Sequence, residues 1–228
     1  MTIALVTGAN KGIGKEIARQ LVEAGLTVHI GSRDAARGRA AAAELGCSSV
    51  VLDVTSADSI AAAAAQVSTL DVLVNNAGIM VDGLPPTEAD VASFRRTYET
   101  NVFGVLAVTN AFLPALRKSA HPRIVNVSSG TGSLEWSGSR YAGDGSGAAY
   151  RSSKTALNAL TLYYAQALPD FKVNTLAPGL RRTDLNSRAA ASDGDPAEAA
   201  AGAVRLALLP DDGPTGTFVS WDGSVAPW

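Results

Sequence analysis

Short apolar runs alternate with longer stretches of helical periodicity through most of the 228 residues. Each run is almost continuously apolar, as expected of strands that are covered on both faces. A strand that is followed by a helix reaches its parallel neighbour by a right-handed crossover, so the alternation predicts a parallel sheet with helices on both faces. The expected fold class is therefore α/β, a doubly wound sheet of about seven strands in a single domain over residues 1–228.

The predicted strands are residues 3–7, 26–31, 49–52, 71–74, 123–127, 171–176 and 217–220. The predicted helices are residues 12–24, 34–45, 57–67, 87–116, 148–168 and 196–209, the fourth with a break near Tyr98 and the last capped by Asp195. Two segments rich in glycine, serine and aspartate, 129–147 and 181–195, each follow a strand. Ligands bind at that edge of an open parallel sheet, so both segments are predicted to border the site.

Charge and composition exclude several classes of partner. The 19 basic and 21 acidic residues give a net charge of −2 without any block of like charge, which predicts neither a nucleic-acid nor a membrane partner. The single cysteine, Cys47, is typical of a reducing compartment. No apolar run approaches the roughly 18 residues of a membrane span and the N-terminus lacks the charged region of a signal peptide, so a cytoplasmic location is expected. His29 and His121 fit no metal-ligand spacing, and no metal is predicted.

A glycine-rich loop lies between the first predicted strand and the first predicted helix. It reads Thr-Gly-Ala-Asn-Lys-Gly-Ile-Gly over residues 7–14. Glycines permit a tight turn and let backbone N–H groups approach a pyrophosphate, while the helix N-terminus supplies positive potential. The loop therefore predicts a dinucleotide site. Its candidate contacts are Gly8, Asn10, Lys11, Gly12, Ile13 and Gly14.

The spacing of this loop, T-G-x-x-x-G-x-G, resembles that of the short-chain dehydrogenase/reductase family. Further motifs follow in the order of that family, and they are Asn75-Asn76-Ala77-Gly78, Asn101, Ser128-Ser129, Tyr150 with Lys154, Pro178-Gly179 and Thr183. Several shorter strings, such as Asn10-Lys11-Gly12-Ile13-Gly14 and the ending Pro227-Trp228, resemble its NADPH-dependent carbonyl reductase branch. The resemblance implies a Rossmann-type fold, a nicotinamide cofactor and hydride transfer.

The same resemblance implies which residues hold the cofactor. Asp53, with Val54 beside it, would contact the adenine end, and Thr183 the nicotinamide carboxamide. Lys154 would hold the ribose hydroxyls. The other implied contacts are Asn76, Ala77, Gly78, Tyr150, Pro178 and Gly179. For Asp53 and Thr183, the alternative of a side chain that caps a helix stays open.

The end of the second predicted strand indicates which nicotinamide cofactor is bound. An acid at this place would accept hydrogen bonds from a ribose 2′-hydroxyl, whereas Arg33 can bind a 2′-phosphate. Arg37 and Lys11 can add to that contact, although each of the three basic residues also fits a solvated surface charge. Asp34 is either the cap of the second helix or a ribose ligand. Together these residues predict NADP(H).

Tyr150 is the candidate proton donor because it alone among five tyrosines has a lysine four residues later. Residues with this spacing share one face of a helix, so Lys154, together with the positive charge of the oxidised nicotinamide, is expected to lower the pKa of Tyr150 from its free value of about 10. Ser129, with Ser128 as the alternative, is expected to hydrogen-bond the substrate carbonyl as charge develops. The resemblance places Asn101 in a proton relay past Lys154.

These residues predict NADPH-dependent reduction of a small ketone or aldehyde to an alcohol, with Tyr150 as general acid. The same residues fit alcohol oxidation or an enone-directed relative of the same fold. A catalytically silent NADP-sensing protein is the alternative outside enzymes. Such a protein would be expected to lack the tyrosine or the lysine, and both are present.

The interval between Ser129 and Tyr150 is longer than in the short form of the family. Its extra residues, 132–147, are expected to cover the substrate pocket or to alter the surface used for subunit packing. Trp136 and Tyr141 are either pocket walls or loop packing, and residues 180–195 form a second candidate lid. The predicted helices over 87–116 and 148–168 pack across dimer faces in the broad family, so the oligomeric state stays open between a monomer and a homo-oligomer.

Overall fold

A computed structural model describes residues 2–81 and 83–228. Its strands are β1 Ile3–Thr7, β2 Thr27–Ser32, β3 Ser48–Val51, β4 Val72–Asn75, β5 Arg123–Val127, β6 Lys172–Ala177 and β7 Phe218–Ser220. They form one sheet in the order β3-β2-β1-β4-β5-β6-β7, and every neighbouring pair is parallel. The predicted doubly wound α/β fold is confirmed. The strand order reverses between β1 and β4, which is the place where ligands bind in such sheets.

The helices are α1 Gly12–Glu23, α2 Ala35–Leu45, α3 Ala57–Gln66, α4 Val91–Tyr98, α5 Gly104–Leu116, α6 Leu134–Gly138, α7 Ala148–Ala167, α8 Ser187–Ala190 and α9 Pro196–Ala207. The expected break near Tyr98 is a π-helical turn over Glu99–Phe103. The start predicted at residue 87 is wrong, because Asp90 caps α4 by accepting a hydrogen bond from the Ser93 N–H. The short helices α6 and α8 lie inside segments that were predicted as loops.

The sheet separates two apolar cores. Ala4 and Val6 of β1 pack with one set of buried side chains, which includes Ile17 of α1, while Leu5 packs with the other set, which includes Phe112 of α5. Successive residues of a strand point to opposite faces, so both faces of β1 are covered. This double burial explains why the strands read as continuous apolar runs rather than as alternating patterns.

N-terminal helix caps fix where the loops after β6 end and the helices begin. Asp195 accepts a hydrogen bond from the Ala197 N–H, and Pro196 occupies the first helical position of α9, as the sequence predicted. Asn186 caps α8 through the Ala189 N–H. Within residues 2–81 and 83–228, no helix is long and apolar enough to cross a bilayer.

Candidate active site

The glycine loop between β1 and α1 forms an open turn in front of the helix N-terminus. Gly8 and Gly12 have φ angles of +63° and +56°, a left-handed conformation that side chains other than glycine rarely adopt. Lys11 precedes α1, yet no side chain caps the helix, and its first turn contains no acid. The first N–H groups of α1 are therefore free to bind a phosphate, and these residues fit the pyrophosphate of a dinucleotide.

The segment after β4 packs directly against this loop. The Asn76 side-chain amide donates to the carbonyl oxygens of Thr7 at 2.9 Å and Gly8 at 3.2 Å. A Cβ on Gly14 would collide with that amide and would lie 2.8 Å from the Gly8 oxygen. A Cβ on Gly8 would lie only 3.0 Å from the Cα of Ala77. Asn76 and Ala77 thus shape the glycine loop, whatever contact they make with a cofactor.

The basic residues that were predicted to bind a 2′-phosphate have different surroundings. Arg33 and Arg37 are exposed at the start of α2. Asp34 accepts hydrogen bonds from the Ala36 N–H at 2.9 Å and the Arg37 N–H at 3.0 Å, so its carboxylate caps α2, as one of the two interpretations expected. The Lys11 ammonium is paired with the Asp184 carboxylate instead of lying free in the loop.

Asp53 and Val54 lie at the end of β3, beside this basic region. The Asp53 carboxylate accepts hydrogen bonds from the Thr55 N–H at 2.9 Å and the Thr55 hydroxyl at 2.7 Å, and these bonds, with the nearby charge of Arg33, lower its pKa. Val54 packs on Gly104 at the start of α5, where a Cβ would lie 2.8 Å from the Val54 oxygen. The cap of α3 is Ser56 and not Asp53.

The structure brings the four predicted catalytic residues together at the carboxyl end of β5. Tyr150 and Lys154 lie in the first two turns of α7, and the Lys154 Nζ is 5.7 Å from the centre of the Tyr150 ring. Ser129 follows β5, and its hydroxyl is close enough to the Tyr150 phenol to favour the charged form of that group. A Cβ on Gly78 would lie 3.4 Å from both the Lys154 Nζ and the Asn101 Oδ1, so the motif after β4 borders the same cluster.

Asn101 is fully buried in the π-helical turn. Its side-chain oxygen accepts a hydrogen bond from the Ile79 N–H at 2.9 Å, and its amide nitrogen donates to the Ile79 oxygen at 2.9 Å and the Ser153 hydroxyl at 3.0 Å. The side chain therefore joins the segment after β4 to α7. This supporting role is compatible with the relay role that the resemblance implies.

The two serines after β5 face different surroundings. Ser128 is buried, and its hydroxyl donates to the Asn158 Oδ1 at 2.6 Å and to the Lys154 carbonyl at 3.3 Å. Ser129 is partly exposed, and its hydroxyl lies 2.9 Å from that of Thr131. Of the two serines, the structure places Ser129 beside the tyrosine and Ser128 beneath the helix.

Burial dominates the protonation of the pair formed by Tyr150 and Lys154. Burial raises the pKa of Tyr150 to about 12, and the hydrogen bond with Ser129 only partly opposes that effect. Burial also lowers the pKa of Lys154 to about 8. In the cofactor-free protein Tyr150 therefore has a raised pKa, and the lowering expected from Lys154 together with the oxidised nicotinamide stays a prediction for the complex. The Lys154 ammonium donates to the Val127 carbonyl oxygen at 2.8 Å, and loss of water dominates the pKa of both groups.

The loops after β5 and β6 form the other side of the cleft. Pro178 and Gly179 follow β6, and the methyl group of Thr183 lies 3.4 Å from the position of a Cβ on Gly12, so this loop closes over the glycine turn. Trp136 and Tyr141 meet edge to face with ring centres 6.1 Å apart. Both line a cavity of about 200 Å³, and their role as walls of a substrate pocket stays a prediction.

Sequence reasoning missed two residues of this cavity, Arg181 and Trp221. Neither belongs to a motif, and no pattern in the sequence shows that they meet.

A larger cavity of about 590 Å³ runs between residues 132–147 and the outer face of α7, where Leu134, Arg151 and Thr155 line it. Neither cavity is lined by any of the four predicted catalytic residues, but the smaller one is lined by Gly130, which directly follows Ser129. In the described ranges, no group of three His, Cys, Asp or Glu side chains is arranged to hold a metal.

Comparison with known proteins agrees with this geometry. The family model of the short chain dehydrogenases matches residues 2–194. Salutaridine reductase from Papaver bracteatum is 36% identical over 296 aligned positions, which cover 96% of this chain and 94% of that protein. The (-)-isopiperitenone reductase of Mentha piperita is 34% identical and covers 98% of this chain and 97% of its own. The solved structure of NADPH-bound carbonyl reductase from chicken fatty liver has a TM-score of 0.86 at 28% identity and covers 100% of both chains.

The fold and the glycine loop at its switch point define an α/β protein of the dinucleotide-binding class. The chain belongs to the short-chain dehydrogenase family, a family of oxidoreductases that use a nicotinamide cofactor.

Proposed function

We propose that the chain reduces a small ketone or aldehyde to an alcohol with NADPH, and that Tyr150 donates the proton. The observation that carries the proposal is the convergence of Ser129, Tyr150 and Lys154 in one cleft beside the glycine loop. Relatives that are named salutaridine reductase and carbonyl reductase support reduction of a carbonyl group.

Each residue has a separate part in this reaction. The bound cofactor supplies a hydride to the carbonyl carbon. The Tyr150 hydroxyl donates a proton to the carbonyl oxygen, and the Ser129 hydroxyl hydrogen-bonds that oxygen as it gains charge. Lys154 holds the ribose hydroxyls, and Asn101 keeps the segment after β4 and α7 in register so that the tyrosine and the lysine face the same place.

The protonation state of Tyr150 in the cofactor-free protein is compatible with its role as an acid. With its pKa raised to about 12, the phenol is protonated throughout the neutral range and can donate its proton. Alcohol oxidation uses the same group as its base, so it stays an alternative, as does a catalytically silent NADP-sensing role.

The preference for NADPH rests on the surroundings of Arg33. The neighbouring carboxylate of Asp34 is engaged in capping α2, which makes it a poor ligand for a ribose hydroxyl and leaves Arg33 to meet a 2′-phosphate. We assign the other cofactor contacts to the glycine loop and to the carboxyl ends of the central strands. They are Gly8, Asn10, Lys11, Gly12, Ile13, Gly14, Arg37, Asp53, Val54, Asn76, Ala77, Gly78, Tyr150, Lys154, Pro178, Gly179 and Thr183.

The decisive experiment follows NADPH consumption with a panel of ketones and aldehydes in the wild-type enzyme, Tyr150→Phe and Tyr163→Phe. Tyr163 lies on the same helix and is 62% exposed, so it is the matched control. Tyr150→Phe is expected to lower kcat at least about 100-fold while NADPH still binds, because general acid catalysis contributes roughly that much or more. Wild-type turnover in Tyr150→Phe would contradict the proposed donor, and a wild-type enzyme that binds NADPH without any turnover would favour a sensor.

The remaining parts of the proposal concern the chain as a whole. We propose that residues 1–228 act as one cofactor-binding domain in the cytoplasm, with a small carbonyl compound as partner and no metal, nucleic acid or membrane. Cell fractionation tests the location. Sedimentation of the purified protein decides between a monomer and a homo-oligomer.

A further inference from the structure

The small cavity beside the predicted catalytic serine lies at the carboxyl ends of three neighbouring strands. Gly130 follows Ser129 after β5, Gly179 follows β6, and Trp221 follows β7, and all three line the cavity. The Tyr141 hydroxyl lies 2.9 Å from the position of a Cβ on Gly130, so the aromatic wall begins one residue from Ser129. A substrate whose carbonyl oxygen meets Ser129 therefore has this cavity within reach of its other end.

A buried arginine without enough partners lines this cavity. Arg181 is only 7% exposed, and its Nε and Nη2 atoms have no hydrogen-bond partner. Its Nη1 pairs with the half-exposed Glu198 at 3.2 Å, and its guanidinium lies 4.2 Å from the centre of the Trp221 ring. Buried polar groups in proteins are nearly always hydrogen-bonded, so two unpartnered donors on a buried charge call for an acceptor.

One of the unpartnered donors lies next to a residue that lines the cavity. The Nη2 atom of Arg181 is 3.4 Å from the position that a Cβ on Gly179 would take, and Gly179 itself lines the cavity. The same position is 3.1 Å from the Trp221 Cδ1, so glycine here lets the indole and the guanidinium pack closely against the backbone. The one acid paired with Arg181 approaches through Nη1, which leaves the edge formed by Nε and Nη2 without an acceptor.

A second positive charge borders the same space. The Arg140 guanidinium lies 5.2 Å from the centre of the Trp136 ring and 5.8 Å from that of Tyr141, above the aromatic wall. Among the described residues that line the cavity there are two arginines and no carboxylate. The surroundings thus combine positive charge with aromatic faces, which favours an anion attached to an apolar group.

We propose that this cavity is a substrate subsite for a carboxylate, and that the substrate is a small carbonyl compound bearing an acid group, bound chiefly by Arg181. The planar fork of a guanidinium matches the two oxygens of a carboxylate. The volume of about 200 Å³ is below that of most whole-ligand pockets, so the cavity holds one end of the substrate while the carbonyl group lies at Ser129 and Tyr150. This inference rests on the proposed reductase function.

The test compares oxo-carboxylic acids of increasing chain length with their methyl esters. The measured quantity is the ratio of kcat/KM for each acid to that for its ester in the wild-type enzyme, Arg181→Met, Arg181→Lys and Arg182→Met. Arg182 is the next residue and is exposed outside the cavity, so it controls for loss of charge in the loop. For the best chain length, Arg181→Met is expected to lower the ratio at least about tenfold, mostly through KM, while Arg182→Met leaves it unchanged and Arg181→Lys lies between them.

A binding measurement separates this proposal from the proposed function. Benzoate and the neutral benzamide are titrated into the wild-type enzyme and the same variants, with tryptophan fluorescence as the signal, because Trp136 and Trp221 line the cavity. Benzoate is expected to bind more tightly than benzamide in the wild type and in Arg182→Met, by a smaller factor in Arg181→Lys, and no more tightly in Arg181→Met. If no carbonyl compound is reduced, the reductase function fails, and this titration still decides the subsite. Equal acid-to-ester ratios in wild type and Arg181→Met overturn the proposal. Wild-type binding that is no tighter for benzoate than for benzamide also overturns it, and this second result does not depend on the folding of any variant.

Discussion

The amide nitrogen of Asn101 donates to the hydroxyl of Ser153 at 3.0 Å. Asn101 lies in the π-helical turn Glu99–Phe103, whereas Ser153 lies between Tyr150 and Lys154 on α7. π-helical turns are rare and frequently mark functional sites. Here the turn places a buried amide where it can hold the catalytic helix and the segment after β4 at once.

Replacing Asn101 by alanine is expected to remove both functions of this amide. The half-buried N–H and C=O of Ile79 would lose their partners, which predicts a loss of unfolding free energy of about 2–4 kcal/mol and a fall in kcat of at least about tenfold. Urea unfolding and steady-state kinetics measure the two effects. Ser153→Ala is the control, because it removes the hydrogen bond from Asn101 and the local bond from Ser153 to the Tyr150 carbonyl but leaves the Ile79 pair intact. Equal losses in both variants would show that the Ile79 contacts carry no weight.

The positions of the strands along the chain and their parallel arrangement could be predicted from the sequence because the central strands β1, β4 and β5 are buried on both faces. Their ends were displaced by a residue in several cases, as at β2, which begins at Thr27 and not at residue 26. Thr27 pairs with Ile3, the first residue of β1, so the start of β2 is set by where its hydrogen bonds with β1 begin. Helix α6 depends on a cap from Ser133 to the Trp136 N–H inside a glycine- and serine-rich loop, where periodicity gives no signal.

The catalytic cluster could be predicted from the sequence more fully than the cavity beside it. Tyr150 and Lys154 are four residues apart on one helix, so their common face follows from helix geometry alone. Arg181 and Trp221 come from different loops and meet only because the sheet brings β6 and β7 together. The ion pair between Lys11 and Asp184 likewise joins residues far apart in sequence, which composition and spacing do not reveal.

Arg33→Ala is expected to reduce the preference for NADPH over NADH at least about tenfold. A charge-assisted hydrogen bond to the 2′-phosphate contributes roughly 1.5–3 kcal/mol, and the variant would lose it for NADPH only. The measurement is kcat/KM with each cofactor at low and moderate salt. Arg39→Ala removes an exposed charge from the same helix and should leave the ratio close to that of the wild type. An unchanged preference in Arg33→Ala would locate the discrimination elsewhere.

Alanine variants of the two serines after β5 are expected to have opposite effects on kcat and on unfolding free energy. Ser129→Ala is expected to lower kcat by about 100-fold, as for loss of one oxyanion donor, with little change in stability. Ser128→Ala removes the hydrogen bond to the buried Asn158 and is expected to cost about 1–3 kcal/mol of unfolding free energy with a smaller effect on kcat. Kinetics and thermal unfolding of both variants give the comparison. The reverse pattern would move the catalytic role to Ser128.

The lowered pKa of Lys154 predicts that the cofactor-free enzyme gains stability between about pH 8 and pH 10. Below pH 8 the folded and the unfolded chain both hold the proton, and the fold bears the full cost of a buried ammonium. Above pH 8 the folded chain releases the proton while the unfolded chain, with a lysine pKa of 10.5, keeps it, so stability rises with pH. Above about pH 10 the raised pKa of Tyr150 acts in the opposite direction, because only the unfolded chain then loses the phenolic proton.

Lys154→Met isolates this effect. The difference in unfolding free energy between wild type and variant is expected to change by about 1–3 kcal/mol in favour of the wild type from pH 8 to pH 10. Denaturant unfolding at several pH values measures it, with both proteins free of cofactor. A difference that stays constant over this range would mean that Lys154 titrates normally despite its burial.

Gly14→Ala sets helix propensity against packing. Propensity alone predicts stabilisation by up to about 1 kcal/mol, since Gly14 lies inside α1. Packing predicts the reverse, because the new Cβ would collide with the Asn76 amide and lie 2.8 Å from the Gly8 oxygen, and such overpacking costs roughly 1–3 kcal/mol. The Gly8 oxygen belongs to backbone that cannot move without opening the glycine loop, so packing is expected to dominate, and NADPH affinity should fall together with the melting temperature.

Gly138→Ala, whose Cβ meets nothing within 4 Å, is the control and should change stability by no more than about 0.5 kcal/mol. A Gly14→Ala enzyme that is more stable than the wild type and binds NADPH as tightly would show that Asn76 moves aside and that its contacts with the loop are dispensable.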